Sequence, residues 1–433
     1  MGYGGIIVKH LMKNKNYMLI CFGSLISFLG DSIQDIALMW YIYSLTHSPM
    51  IASLSLIINF LPKVLFSPLS GIISDKYNRK HIIIMCDFFN GLFAIILGIM
   101  IYFNVTVYIL LIITFIMSTL DTFYYPASMA IIPSIVKKED LISANSFSST
   151  LKNVVNISGP ALAGILYLLI NPSLLFIGNG ISFIIASGFE LFIKYAHNKE
   201  EIEHKERLKL KHRLIKSYKE YMAGFYIIKN DKFLLYTAII GGGITNLFLA
   251  PISLYIPIYV SDILHFSSIY FGLMNSAITI GSLVASVMLI RLGGKWNKHK
   301  LIIFGFLIQG ISLILFGIFK GFYGSFMSLI ILGIALSITG ININTIIQER
   351  IPSKMLGRCI SVLMLISNIC VPIGYFAGGY VVQFIGLNII LIFSGIIVAI
   401  SGMSLIFVFR KMFHKKDVGR FKIKRKLKLF TSK

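Results

Sequence analysis

Twelve long apolar runs, each followed by a short polar connection, alternate along the chain at about 17–43, 49–73, 81–102, 107–133, 144–169 and 173–195, then 233–261, 268–291, 301–319, 322–347, 358–383 and 387–409. A bilayer core accepts about 20 apolar residues per helix. Within lipid the backbone must satisfy its own hydrogen bonds, so runs of this length predict helices. A polar segment rich in Lys, Glu and His separates the sixth run from the seventh. The pattern predicts an all-α membrane protein. Its parts are a six-helix bundle over 1–195, a cytoplasmic linker over 196–232, a second six-helix bundle over 233–409, and a basic tail over 410–433.

Composition supports spans over a soluble core. Hydrophobic residues make up 56% of the 433 and charged residues only 13%, half the share expected of a soluble domain. The net charge of +23 matters through its placement. Lys13, Lys15, Lys76, Arg79, Lys80, Lys137, Lys295, Lys298, Lys300, Arg350, Lys354 and Arg358 occupy alternate connections, and the intervening set offers only Lys320. Cytoplasmic connections carry the positive charge, which predicts a multi-pass protein of the cell membrane with both termini cytoplasmic. In the linker, Leu214, Tyr218, Met222 and Phe225 recur at helical spacing beside Lys216, Lys219 and Lys229, as in an amphipathic helix on the inner leaflet. The basic tail is expected to meet anionic lipid and not nucleic acid. The four cysteines fall in or beside apolar runs without metal-ligand spacing, so neither a disulfide framework nor a metal site is expected.

The halves echo each other. Leu45-Thr46-His47-Ser48 resembles Leu264-His265-Phe266-Ser267, Pro133 matches Pro352, and Pro160 and Pro372 are expected to break spans 5 and 11. Secondary transporters are built from such repeats. After span 2 stands Gly71-Ile72-Ile73-Ser74-Asp75-Lys76-Tyr77-Asn78-Arg79-Lys80. Gly71 permits close helix approach. Asp75 suits a helix end or a pair with Arg79. Asn78 tolerates a left-handed turn.

This loop resembles the signature of the major facilitator superfamily, with Asn78 where that family often has Gly. Leu61-Pro62, Pro68, Pro126-Ala127, Ile132-Pro133, Ala144-Asn145, Gln348, Pro352 and Gly357-Arg358 extend the resemblance to its macrolide-efflux-like drug/proton antiporter branch. The resemblance implies two pseudo-symmetric six-helix bundles that rock about a central cavity. In that scheme Gly71, Asp75, Lys76, Arg79 and Lys80 brace the inner gate against span 11. Gly159-Pro160-Ala161-Leu162-Ala163-Gly164 resembles the exporter motif, departing from it at Thr150 and Ala163, and predicts a helix kink at Gly159, Pro160 and Gly164.

Charges at membrane depth sharpen the reading, because each costs roughly 2.5–3.5 kcal/mol on insertion scales and is usually kept for function. Asp31 and Asp121, with Asp35 adjoining, are the candidates for proton coupling. Carboxylates stranded in low dielectric hold protons more readily than in water. Lys63 and Lys152 are candidate cation partners. At 1.5 Å per residue, Lys63 and Asp121 lie about 15 Å deep and Asp31 about 21 Å. Lys63 is therefore expected to pair with Asp121 or Asp31. Asp87, about 10 Å deep, is read as part of the gate's structural network. Gln34, Tyr125 and Asn156 are candidate cavity residues. The second half offers no comparable charge at depth, Gln309 being its main polar residue there, which places coupling in the first.

The chain lacks HExxH, GxSxG and the G-x-x-x-x-G-K-[ST] loop, so neither a hydrolase nor a self-contained ATP pump is expected. The expected activity is proton-coupled export of amphipathic or lipophilic small molecules such as macrolide-type drugs, with no cofactor, by a monomer. Export of an endogenous siderophore or peptide is the alternative, and import by the same fold is a more distant one.

Overall fold

The computed structural model describes residues 13–137, 140–194, 222, 224–292, 296–351 and 353–413. The helices, in chain order, are α1 (Lys15–Thr46), α2 (Pro49–Lys76), α3 (Arg79–Tyr102), α4 (Val107–Ile135), α5 (Leu141–Leu169), α6 (Pro172–Leu191), the composite α7 (Lys232–Ile263), α8 (Ser268–Leu292), α9 (Lys298–Ile318), α10 (Phe322–Arg350), α11 (Ser353–Val381) and α12 (Leu387–Phe413). Among the described residues, eleven helices are long and apolar enough to cross a membrane. The remaining helix, α5, has 29 residues, but Ser, Asn and Lys152 crowd its first half. The amphipathic linker helix and the tail fall mostly outside the described residues. Residues 224–230 are helical, and α12 extends to Phe413.

Local chemistry sets the helix starts. Ser48 and Asn171 each accept a hydrogen bond from a first-turn amide, and each precedes a proline whose missing N–H costs nothing at that position. Asn78 does not take the left-handed turn read from sequence. It sits at φ −61° and ψ 112°, where its side chain accepts from the Lys80 amide and caps α3. Among the described non-glycine residues, the left-handed positions are His47, Asn104 and His265. Two of them close α1 and the α7 segment at the turns that echo each other in sequence. Neither Pro160 nor Pro372 breaks its helix, since α5 and α11 run through them. The broken span is α7, which is interrupted at Ala250–Pro251 and carries wider turns over Ala238–Ile244 and Tyr259–Ile263. The Thr245 amide reaches the Ile240 carbonyl five residues back, and the Leu264 amide reaches that of Tyr259. Prolines at 251 and 257 remove backbone donors from this stretch.

The chain separates into two compact units, one of residues 1–209 with 254–279 and the other of 210–253 with 280–433. In the first, α3 and α6 meet backbone to backbone. A Cβ at Gly91 would lie 2.8 Å from the Gly180 carbonyl, so only glycine allows the approach. In the second, a Cβ at Gly310 would lie 2.5 Å from the Gly395 carbonyl, where α9 meets α12. The first unit buries an apolar cluster that includes Ile42, Leu97, Leu110 and Phe176.

Within the first unit, 254–279 packs on α1 and α5. The Tyr43 hydroxyl donates to Asp262. Trp40 stacks on Phe271 with centroids 5.4 Å apart. Ser268 donates to the Gly164 carbonyl at 2.8 Å and Ser276 to that of Ile157 at 2.7 Å. The small residues of the span-5 motif receive these contacts: Gly159 faces Ser32 of α1, while Pro160 and Gly164 face Gly272.

Candidate functional site

Polar side chains from α1, α2, α3, α4 and α6 converge inside the amino-terminal unit. Asn179 of α6 donates to Gln34 Oε1 at 2.9 Å and to Asp31 Oδ1 at 3.3 Å. Ser182 donates to Asn179 Oδ1 at 3.0 Å, which fixes the amide's orientation. The reach depends on Gly30, where a Cβ would sit 2.0 Å from Asn179 Oδ1. Across the bundle, Asn90 of α3 donates to Asp121 Oδ1 of α4 at 2.7 Å. Asn59 of α2 donates to Asp35 at 3.4 Å, and Ser118 donates to the Asn59 carbonyl. Each aspartate is thus held by an asparagine from a neighbouring helix. Asp31 and Asp121 are half-buried, while Asp35 is exposed.

Lys63 closes an ion pair with none of the three aspartates. Its ammonium lies 5.9 Å from the Phe60 ring centroid, and its charge acts on Asp31, Asp35 and Asp121 together. The expected pair is a shared field.

A second polar layer lies one helical turn along α3 and α4. Asp87 and Glu190 are 2% and 1% exposed, which makes them core residues. The Tyr124 hydroxyl lies 3.5 Å from Glu190 Oε1 and 3.4 Å from the Ser24 hydroxyl. Among the described residues, Asp87 Oδ2 and Glu190 Oε2 meet no hydrogen-bond partner. Glu190 is an acid inside a strongly apolar span and was findable by the rule that singled out Asp31. The asparagines 59, 90 and 179 carry no charge to flag them, and only their helix-to-helix contacts reveal their role.

A cavity of about 180 Å³ opens between α1, α4 and α5, lined by Phe28, Tyr124, Tyr125, Ser128, Asn145 and Lys152 among others. Lys152 lies over the rings of Phe28 (4.8 Å) and Tyr125 (5.6 Å) and meets no carboxylate among the described residues. Of the expected cavity residues, Tyr125 lines this space. Gln34 is buried against Asn179 and Met117, and Asn156 is exposed elsewhere on α5.

At the loop after α2, Arg79 donates to the Ala130 carbonyl at 3.0 Å and Lys80 to that of Leu191 at 2.8 Å, tying the loop to α4 and α6. A Cβ at Gly71 would meet no described atom within 4 Å, so the close helix approach expected there is not seen among the described residues. The side chains of Asp75 and Lys76 lie outside the described residues.

The described residues form an all-helical, multi-pass chain with polar residues gathered at mid-helix, an arrangement suited to a membrane transporter of small molecules. The profile of the Major Facilitator Superfamily matches residues 20–372 and 252–431, and the chain belongs to that family. It is similar to macrolide efflux protein A of Streptococcus pyogenes, with 24% identity over 87% of this chain and 91% of that one. It is also similar to the staphyloferrin A transporter of Staphylococcus aureus, with 23% identity over 81% and 85%. Its fold matches the crystal structure of a bacterial homologue of the iron transporter ferroportin in an inward-facing state, with a TM-score of 0.67 and 15% identity over 90% of this chain and 98% of that one. As a member of this family the chain is a transporter.

Proposed function

We propose that the protein is a proton-coupled exporter of amphipathic small molecules in the cell membrane, working by alternating access as a monomer with both termini in the cytoplasm and its basic tail on anionic lipid. The observation that carries this reading is the set of three aspartates, each held by an asparagine from another helix and all within the field of Lys63. A proton arriving at Asp31 or Asp121 removes a charge, so the bond from Asn179 or Asn90 loses its charge assistance and the pull toward Lys63 weakens. Helix α1 then loses part of what fixes it to α6, α4 loses part of what fixes it to α3, and the bundle is free to take its other arrangement. Similarity to a macrolide efflux protein supports lipophilic cargo. Similarity to a staphyloferrin A transporter supports the second reading, export of an endogenous metabolite.

Everted vesicles under an imposed pH gradient test the coupling, with lipophilic cations, macrolides and siderophores as cargo. Export that a protonophore abolishes and ATP depletion leaves intact is the expected result. Export that follows ATP and ignores the protonophore overturns it.

A further inference from the structure

The cavity between α1, α4 and α5 has a one-sided chemistry. Its lining includes the ammonium of Lys152, the hydroxyls of Ser24, Tyr124, Tyr125, Ser128, Ser148 and Ser149, and the Asn145 amide, but no Asp or Glu. Asp31, Asp35 and Asp121 are held by their asparagines, and Glu190 and the buried Asp87 lie outside the lining, Glu190 behind Tyr124. Among the described residues, Lys152 meets no hydrogen-bond acceptor, only the faces of Phe28 and Tyr125. A cation–π contact offsets part of the cost of holding an ammonium in a membrane helix, and leaves its donors free.

We infer that this cavity is a cargo site for a carboxylate-bearing aromatic or apolar compound, its carboxylate on Lys152 and the neighbouring hydroxyls and its apolar body between Phe28, Leu25 and Met129. The inference narrows the exporter reading to anionic amphipaths. It rests on that reading for the direction of transport, but not for binding. Electrostatics favours it over a cationic cargo, which would meet Lys152 with no counter-charge in the lining.

The test is isothermal titration of the purified full-length protein in micelles with 2-naphthylacetate, its neutral amide and 2-naphthylethylamine. The carboxylate is expected to bind about tenfold or more tightly than the amide, as a charge-assisted bond gives. Lys152→Met removes that preference and Lys152→Arg keeps it, both variants melting as the parent does. The inference is overturned if Lys152→Met keeps the preference, or if the amine or amide binds best. Phosphatidylglycerol that displaces naphthylacetate, combined with the absence of naphthylacetate counterflow in proteoliposomes, would assign the site to a lipid headgroup and also overturn it. Binding that passes these tests while transport ignores the proton gradient would sink the coupling scheme alone.

Discussion

The bridge between α3 and α4 and the bridge between α9 and α10 are built on the same plan with different chemistry. Asn90 reaches Asp121 at 2.7 Å in the first, and Gln309 reaches Thr339 at 2.9 Å in the second. Both amides are 1% exposed, and both stand next to a glycine through which their helix meets α6 or α12. A neutral amide on a hydroxyl is a static cross-brace, worth about 0.6 kcal/mol on average between membrane helices. An amide on a carboxylate changes when the carboxylate gains a proton. The difference teaches that a polar brace stands at this point in each unit, and that of these two braces only Asn90–Asp121 contains a group that can take up a proton.

The largest effect that would sharpen this contrast is on coupling. Asp121→Asn and Asp31→Asn keep the shape and remove the exchangeable proton. Each is expected to lower proton-driven efflux about a hundredfold, the lower end of the range for loss of a positioned acid, while cargo counterflow at equal pH persists. Equal losses in both assays would mark these residues as structural. Next in size is the glycine contact. Gly91→Leu and Gly310→Leu each force a side chain into a facing carbonyl and are expected to lower stability by about 1–3 kcal/mol, read by thermal melting in detergent. If only one variant loses stability, the two units are not packed alike. Gln309→Leu is smaller still, with a loss of about 1 kcal/mol and unchanged proton dependence. A shifted proton dependence in that variant would end the division of labour. The smallest is Ser24→Ala, which removes only the 3.4 Å contact to Tyr124 and is expected to cost less than about 1 kcal/mol.

Much of this was legible before the structure. The span limits fall within a few residues of the helices because apolar length sets the spans and capping residues trim their ends, and each of the two echoing turns holds a left-handed histidine, His47 or His265. What misled was local. Asn78 was read for its tolerance of positive φ, but its side chain is better used capping α3. In sequence, prolines 160 and 372 point to breaks, yet one missing backbone hydrogen bond does not end a helix whose other bonds persist, and the interruption lies in α7 where glycines and prolines accumulate. The site was legible in its acids and illegible in its asparagines. A charge inside an apolar run announces itself, whereas a neutral amide earns its meaning from the neighbouring helix it reaches. Glu190 broke the same rule as Asp31 and went unread because it lies near the end of its span.

The most direct measurement is proton movement itself. Purified protein is reconstituted into liposomes loaded with a pH-sensitive dye, and cargo is added on one side. Cargo-dependent proton flux should appear in the parent and in Gln309→Leu, and vanish in Asp31→Asn and Asp121→Asn. Undiminished flux in the two aspartate variants, or its loss in Gln309→Leu alone, would contradict the assignment of coupling to the amino-terminal carboxylates.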